Sequence, residues 1–201
     1  MEKADKISEL AYKVIRLAHD GLLVNMRFLD VALSKLKLEE RREMGGFAFD
    51  GATLYYDPQI LLAAYKKEPA YVVRLYLHVL LHAVFFHSFQ TDKLEREYWD
   101  LATDIAVEHT VLDMGLHIAS LESDMLLQNR LAVLKKQAGK LTAEKLYRHF
   151  RIEQPSSKAY REWRELCHYD EHIYWERKEE LTLSQTEWRK ISERVKADLK
   201  S

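Results

Sequence analysis

At 201 residues, 47% of them hydrophobic and 11% aromatic, the chain is long enough to bury a sizeable core in one or at most two domains. Its formal charge of −1, with both signs well mixed, lacks the basic footprint that nucleic acid or an anionic membrane surface requires. The single cysteine, Cys167, excludes an internal disulfide and a cysteine-based zinc cluster, and it suits a reducing cytoplasm.

Six Gly and three Pro against 31% charged residues favour a mostly helical protein. The first residues lead into a mixed-charge amphipathic segment without the apolar core of a signal peptide. Helical periodicity covers residues 5–19 and 21–37, the second through Leu22, Met26, Leu29, Leu33 and Leu36, with Gly21 as the break between them. A polar stretch, Glu39 to Arg42, leads to Gly45 and Gly46. Between Phe47 and Asp57 the pattern changes to aromatic and β-forming residues around Asp50-Gly51, a strong hairpin turn and the one β signal in the chain.

Asp57-Pro58 reads as an N-cap with proline at the first helical position, opening a helix to about Lys67. Pro69 opens the next, which is apolar over 71–89. That stretch is short for a bilayer and carries Arg74 and three histidines, so it reads as a buried core helix. After a polar break at Thr91 and Asp92, helices are expected at 95–114, ended by Gly115, at 120–138, ended by Gly139, and at 142–151 behind Thr142. Gln154 to Ser157 is the best linker, dividing a domain at 1–153 from a charged, Trp-rich extension at 154–201. Ser184 and Glu187 form a capping box for a last helix.

The chemistry concentrates in His78 to His87. A step of four residues on an α-helix turns about 40° beyond a full revolution and advances about 6 Å, so His78 and His82 share a face and could share one ion. The peptidase form of this motif, H-E-x-x-H, carries a Glu as general base for the metal-activated water, but here the position is Val79. His87, nine residues from His78, lies about 180° round an uninterrupted helix and could join only if the helix breaks near Phe85. Hydrogen-bonded core histidines are the bland alternative.

A further ligand must come from elsewhere. Asp104 and Glu108, four apart on an otherwise apolar helix, could serve as third ligand and as either fourth ligand or the base missing at Val79. Ion pairing with Arg or Lys is the competing explanation. A cluster from His168 to Trp175 places His172 two residues after Asp170, where it could orient a ligand or cover the site.

The order F-D-G-x-x-L-Y-Y at 49–56, H-x-x-x-H-x-x-x-x-H at 78–87, W-x-x-A-x-D at 99–104 and D-x-H-x-x-W at 170–175 resembles the metallopeptidase-like domain at the N-terminus of bacterial proteins that carry a von Willebrand A-like (VWA-like) domain behind it. The resemblance spans nearly the whole chain. It implies a zincin-like, predominantly helical α+β fold with a small hairpin beside the H-x-x-x-H helix, and zinc held by His78, His82, Asp104 and the later histidine, His87. It also implies partners: the VWA-like domain that would follow residue 201, and a MoxR-type AAA ATPase. Val79 and Glu108 depart from the family pattern, and Glu108 as catalytic base is a hypothesis of the residues alone.

Three functions follow as expectations: a zinc-dependent peptidase acting on a peptide or protein, an inactive metal-binding or interaction module working with the VWA-like domain and the ATPase, or a helical domain with no metal. In the first, the strand after Gly51 could offer an edge along which an extended peptide lies.

Overall fold

The computed structural model describes residues 2–90, 94–175 and 181–198. The fold is α+β and predominantly helical. Its first helix, α1 (Glu2–Asn25), runs straight through Gly21. A helical glycine costs about 1 kcal/mol relative to alanine, and the buried stripe Ala11, Val14, Ile15, Ala18 and Leu22 outweighs it by packing into the core. The break expected at Gly21 falls instead at Met26, whose φ of −137° leaves the helical region. A 3₁₀ turn and the short α2 (Asp30–Lys35) follow. Met26, Leu29, Leu33 and Leu36 are all buried, so the periodicity located the core face although no continuous helix carries it.

The expected hairpin is present, with β2 (Phe47–Phe49) antiparallel to β3 (Thr53–Tyr56) around the turn at Gly51. It is not the only β-structure. β1 (Lys37–Glu40) pairs in parallel with β3, giving the order β1-β3-β2. Its charged residues disguise it in the sequence, and they are what a sheet edge uses against further pairing. The strand after Gly51 is therefore central and buried, paired on both sides, and the expectation that it presents an edge to a peptide is corrected.

Asp57 caps α3 (Pro58–Lys67) by accepting from the amides of Gln59 and Ile60, with Pro58 at the first helical position. Pro69 likewise opens α4 (Pro69–Val84), buried at nearly every position from Val72 to Val84. Phe86, in the left-handed region at φ 65°, turns the chain into a 3₁₀ turn at His87–Phe89. Thr91 and Asp92, the expected polar break, lie outside the described residues. α5 (Arg96–Met114) ends at Gly115 in the left-handed conformation. α6 (Asp124–Ala138), α7 (Ala143–Glu153) and α8 (Ser157–Cys167, capped by Ser156) follow. The last helix, α9 (Leu181–Asp198), is already formed three residues before Ser184, whose side chain lies outside those described.

Two apolar clusters organise the molecule. One joins α1, α2, the sheet, α3, α4 and α9, with Val107 and Val111 of α5; the other gathers Trp99, Leu101, Ala102, Ile105 and Ala106 of α5 against α6, α7 and α8. Their seam runs along α4 and α5, and it holds the buried Arg74, His78, His82, Asp104 and Glu108. No helix among the described residues is long and apolar enough to cross a membrane.

Candidate metal centre

His78 and His82 are completely buried on α4, and Asp104 faces them from α5, 1% exposed. Beyond α8 the chain runs as an extended segment in which Glu171 donates its amide to the Phe47 carbonyl and forms a parallel bridge with Ala48. This bridge to the edge strand β2 lays Asp170 and His172 over the same point. Trp175 fixes His172 by stacking on its ring at 3.7 Å.

The donor atoms converge on one point and only some of them satisfy one another. His78 Nε2 lies 2.9 Å from His82 Nε2, and 3.5 Å from Asp104 Oδ1 and 3.7 Å from Asp170 Oδ1. Asp104 Oδ1 is 3.3 Å from His82 Nε2 and 3.2 Å from His172 Nε2, yet it makes no hydrogen bond, and neither do the oxygens of Asp170 nor the ring nitrogens of His172. Leaving several buried polar atoms unpaired is costly. Four ligands at about 2.0–2.1 Å around a tetrahedral ion stand roughly 3.3 Å apart. The spacing is that of a ligand shell, so the residues present fit a divalent ion.

Among the described residues three donor sets lie within 4.8 Å of one another: His78, His82 and Asp104; His82, Asp170 and His172; and Asp104, His168 and His172. The last set borders a cleft of about 320 Å³ whose lining includes Arg96, Asp100, Asp104, Arg164, His168 and His172.

Each histidine is held from its far nitrogen. His78 Nδ1 is 2.8 Å from Glu108 Oε1, and His82 Nδ1 is 3.2 Å from His87 Nδ1. His172 Nδ1 faces Asp100 at 3.3 Å, and His168 Nε2 faces Glu171 at 3.3 Å. Backing groups of this kind fix the tautomer and aim of metal-binding imidazoles.

Electrostatics follows from the crowding. Burial opposes the charged form of His78, but the neighbouring carboxylates of Asp104 and Glu108 outweigh it and lift the pKa to about 9. For His172 burial is again overcome, by the charge of Asp104 and by Asp100, raising it to about 10. Burial pushes His82 well below its ordinary value and His87 down to about 3. Asp104 is held well below the carboxylate range because His172, His168 and His78 overcome the effect of its burial, whereas burial raises Asp170.

Of the residues singled out in the sequence, His78, His82 and Asp104 come together within ion reach. The helix does break near Phe85, bringing His87 against His82, but at the ring nitrogen turned away from the cluster. Glu108 is fully buried and committed, one oxygen to His78 and the other to Arg74 at 2.8 Å. Val79 is enclosed in the apolar core and does not line the cleft. Asp170 and His172 point into the cluster itself, closer than the covering position the sequence suggested, and His168 joins through Asp104 at 2.8 Å. The His-Tyr-Asp-Glu-His run was the available signal for His168. What the sequence lacked was the bridge to β2 that aims it.

Two comparisons, with curated proteins and with solved structures, return no match. The model of a family described as "Putative metallopeptidase domain" matches residues 15–191, nearly the full chain and every residue of the cluster. The chain belongs to that metallopeptidase-domain family.

Proposed function

We infer that this is a zinc-dependent peptidase-type domain whose deep ion is held by His78, His82 and Asp104, with Asp170 and His172 beside it. The observation that carries the reading is the convergence of His78, His82 and Asp104 at ligand-shell spacing, with Asp104 Oδ1, both oxygens of Asp170 and both ring nitrogens of His172 left without a hydrogen bond. A zinc ion bound there supplies Lewis acidity toward a carbonyl oxygen and lowers the pKa of water to about 7.

The protein's own groups do the rest. Glu108 and His87 hold His78 and His82 in position, and Arg74 holds Glu108 in place. Asp100 and Glu171, on the cleft wall, are the carboxylates with access to solvent and so the acceptors for a proton released in the cleft. The base is thus assigned to the cleft lining and not to the helix position of Val79, and Glu108 becomes a positioning residue. Cleavage of an unstructured protein, abolished by chelation and restored by zinc, tests the reading. Restored zinc without cleavage of any substrate refutes it.

A second reading has its own support. Val79 and the engagement of both Glu108 oxygens remove the usual base from the centre, which favours a metal-holding interaction module. In that setting the partners would be a VWA-like domain and a MoxR-type AAA ATPase, as the motif order implies.

A further inference from the structure

Resting on the metal reading above, we propose that the cleft side of the centre binds a second divalent ion, held by His168, His172 and Asp104, with Asp104 bridging the two. One tetrahedral ion uses four ligand positions, and the cluster offers more inward donors than that. Asp104 divides its carboxylate: Oδ1 faces His78, His82 and His172, while Oδ2 faces His168 Nδ1 at 2.8 Å. A carboxylate with its two oxygens aimed at two donor sets is what a bridge between ions about 3.5–4 Å apart requires.

His172 is the second, independent sign. It is 2% exposed, and neither ring nitrogen makes a hydrogen bond. Its Nε2 is directed at Asp104, and its Nδ1 is backed by Asp100. His168 repeats that arrangement, with Nδ1 inward and Nε2 toward Glu171. The same Nε2 lies 2.6 Å from Arg164 Nη2. An ion on Nδ1 fixes the proton on Nε2, which then donates to Glu171 while Arg164, 3.6 Å from the same carboxylate, turns to pair with it. His168 is the most exposed of the cluster's histidines and borders the cleft, so this ion lies nearer solvent than the first.

The test is calorimetric titration of the metal-free full chain with Zn²⁺, with Mn²⁺ electron paramagnetic resonance as a second readout. Wild type is expected to take two equivalents and to show a spin-coupled manganese pair. His168→Ala is expected to take one equivalent and show an isolated ion. Glu171→Gln, which keeps every ligand, is expected to weaken only the second equivalent, by about tenfold. One equivalent in wild type, two in His168→Ala, or two uncoupled manganese ions overturn the second site and leave the deep centre standing. No zinc at all in wild type overturns both. Thermal unfolding of the metal-free variants shows whether a lost equivalent reflects a lost fold, and the Glu171 variant decides the matter if His168→Ala does not fold.

Discussion

His78 Nδ1 lies 2.8 Å from Glu108 Oε1, and the other oxygen of Glu108 lies 2.8 Å from Arg74, with all three side chains at most 2% exposed. The carboxylate is thereby tied to one imidazole and one guanidinium. Its structural task is to aim His78 and to compensate Arg74, so its removal should be felt first in metal affinity and stability.

Glu108→Gln is accordingly expected to weaken zinc binding by about 10- to 100-fold, the usual range for a group that orients a metal-binding histidine. Arg74 would keep Asp124 at 3.3 Å and the Ala119 carbonyl. Glu108→Ala, which strips the buried guanidinium of its main partner, should cost about 3–5 kcal/mol in denaturant unfolding. Unchanged zinc affinity in Glu108→Gln, with hydrolysis lost, would return the base role to this residue.

His87 is expected to act through His82. His87→Ala should leave zinc stoichiometry intact but lower affinity, by about tenfold in chelator competition. His82→Ala should abolish uptake by the deep centre. If His87→Ala removes the ion outright, His87 is itself a ligand.

Removing metal should expose a bell-shaped pH dependence of stability. His78, His168 and His172 have folded pKa values raised to about 9, 9 and 10, so their contribution is full below about pH 6.5 and lost as pH rises through 9 to 10. His82 and His87 are depressed, so the unfolded chain takes up their protons first and stability falls below about pH 6.5. The metal-free melting temperature should therefore peak near neutrality. With zinc bound, the alkaline decline should flatten, since bound ligands are held unprotonated. A metal-free melting temperature that climbs steadily to pH 10 would contradict this.

Trp175 stacks on His172 and is 1% exposed. Trp175→Ala is expected to cost about 3–5 kcal/mol as a core truncation, and to loosen His172 from the centre. Trp175→Phe, which keeps an aromatic face, should recover much of the zinc affinity. Equal affinities for the two variants would show that stacking does not position His172.

Much of this was readable in the residues. The i, i+4 pairs His78/His82 and Asp104/Glu108 announced two helix faces, and Pro58, Pro69, Gly115 and Gly139 marked helix ends through local backbone chemistry. Features set by tertiary contact were not. The β1 strand is charged and is set in place by pairing with β3, and Gly21 is overridden by the packing around it. Periodicity could not show that Glu108 would turn to Arg74 and His78, nor that a bridge to Ala48 would carry Asp170 and His172 into the cluster.

The most direct test of the account is the metal content of the chain purified without chelator, beside His82→Ala. At least one equivalent of zinc per wild-type chain is expected, with the deep centre empty in the variant. Less than roughly one tenth of an equivalent in wild type, with no uptake on adding zinc, would contradict the claim that the buried histidines and aspartates form a metal centre.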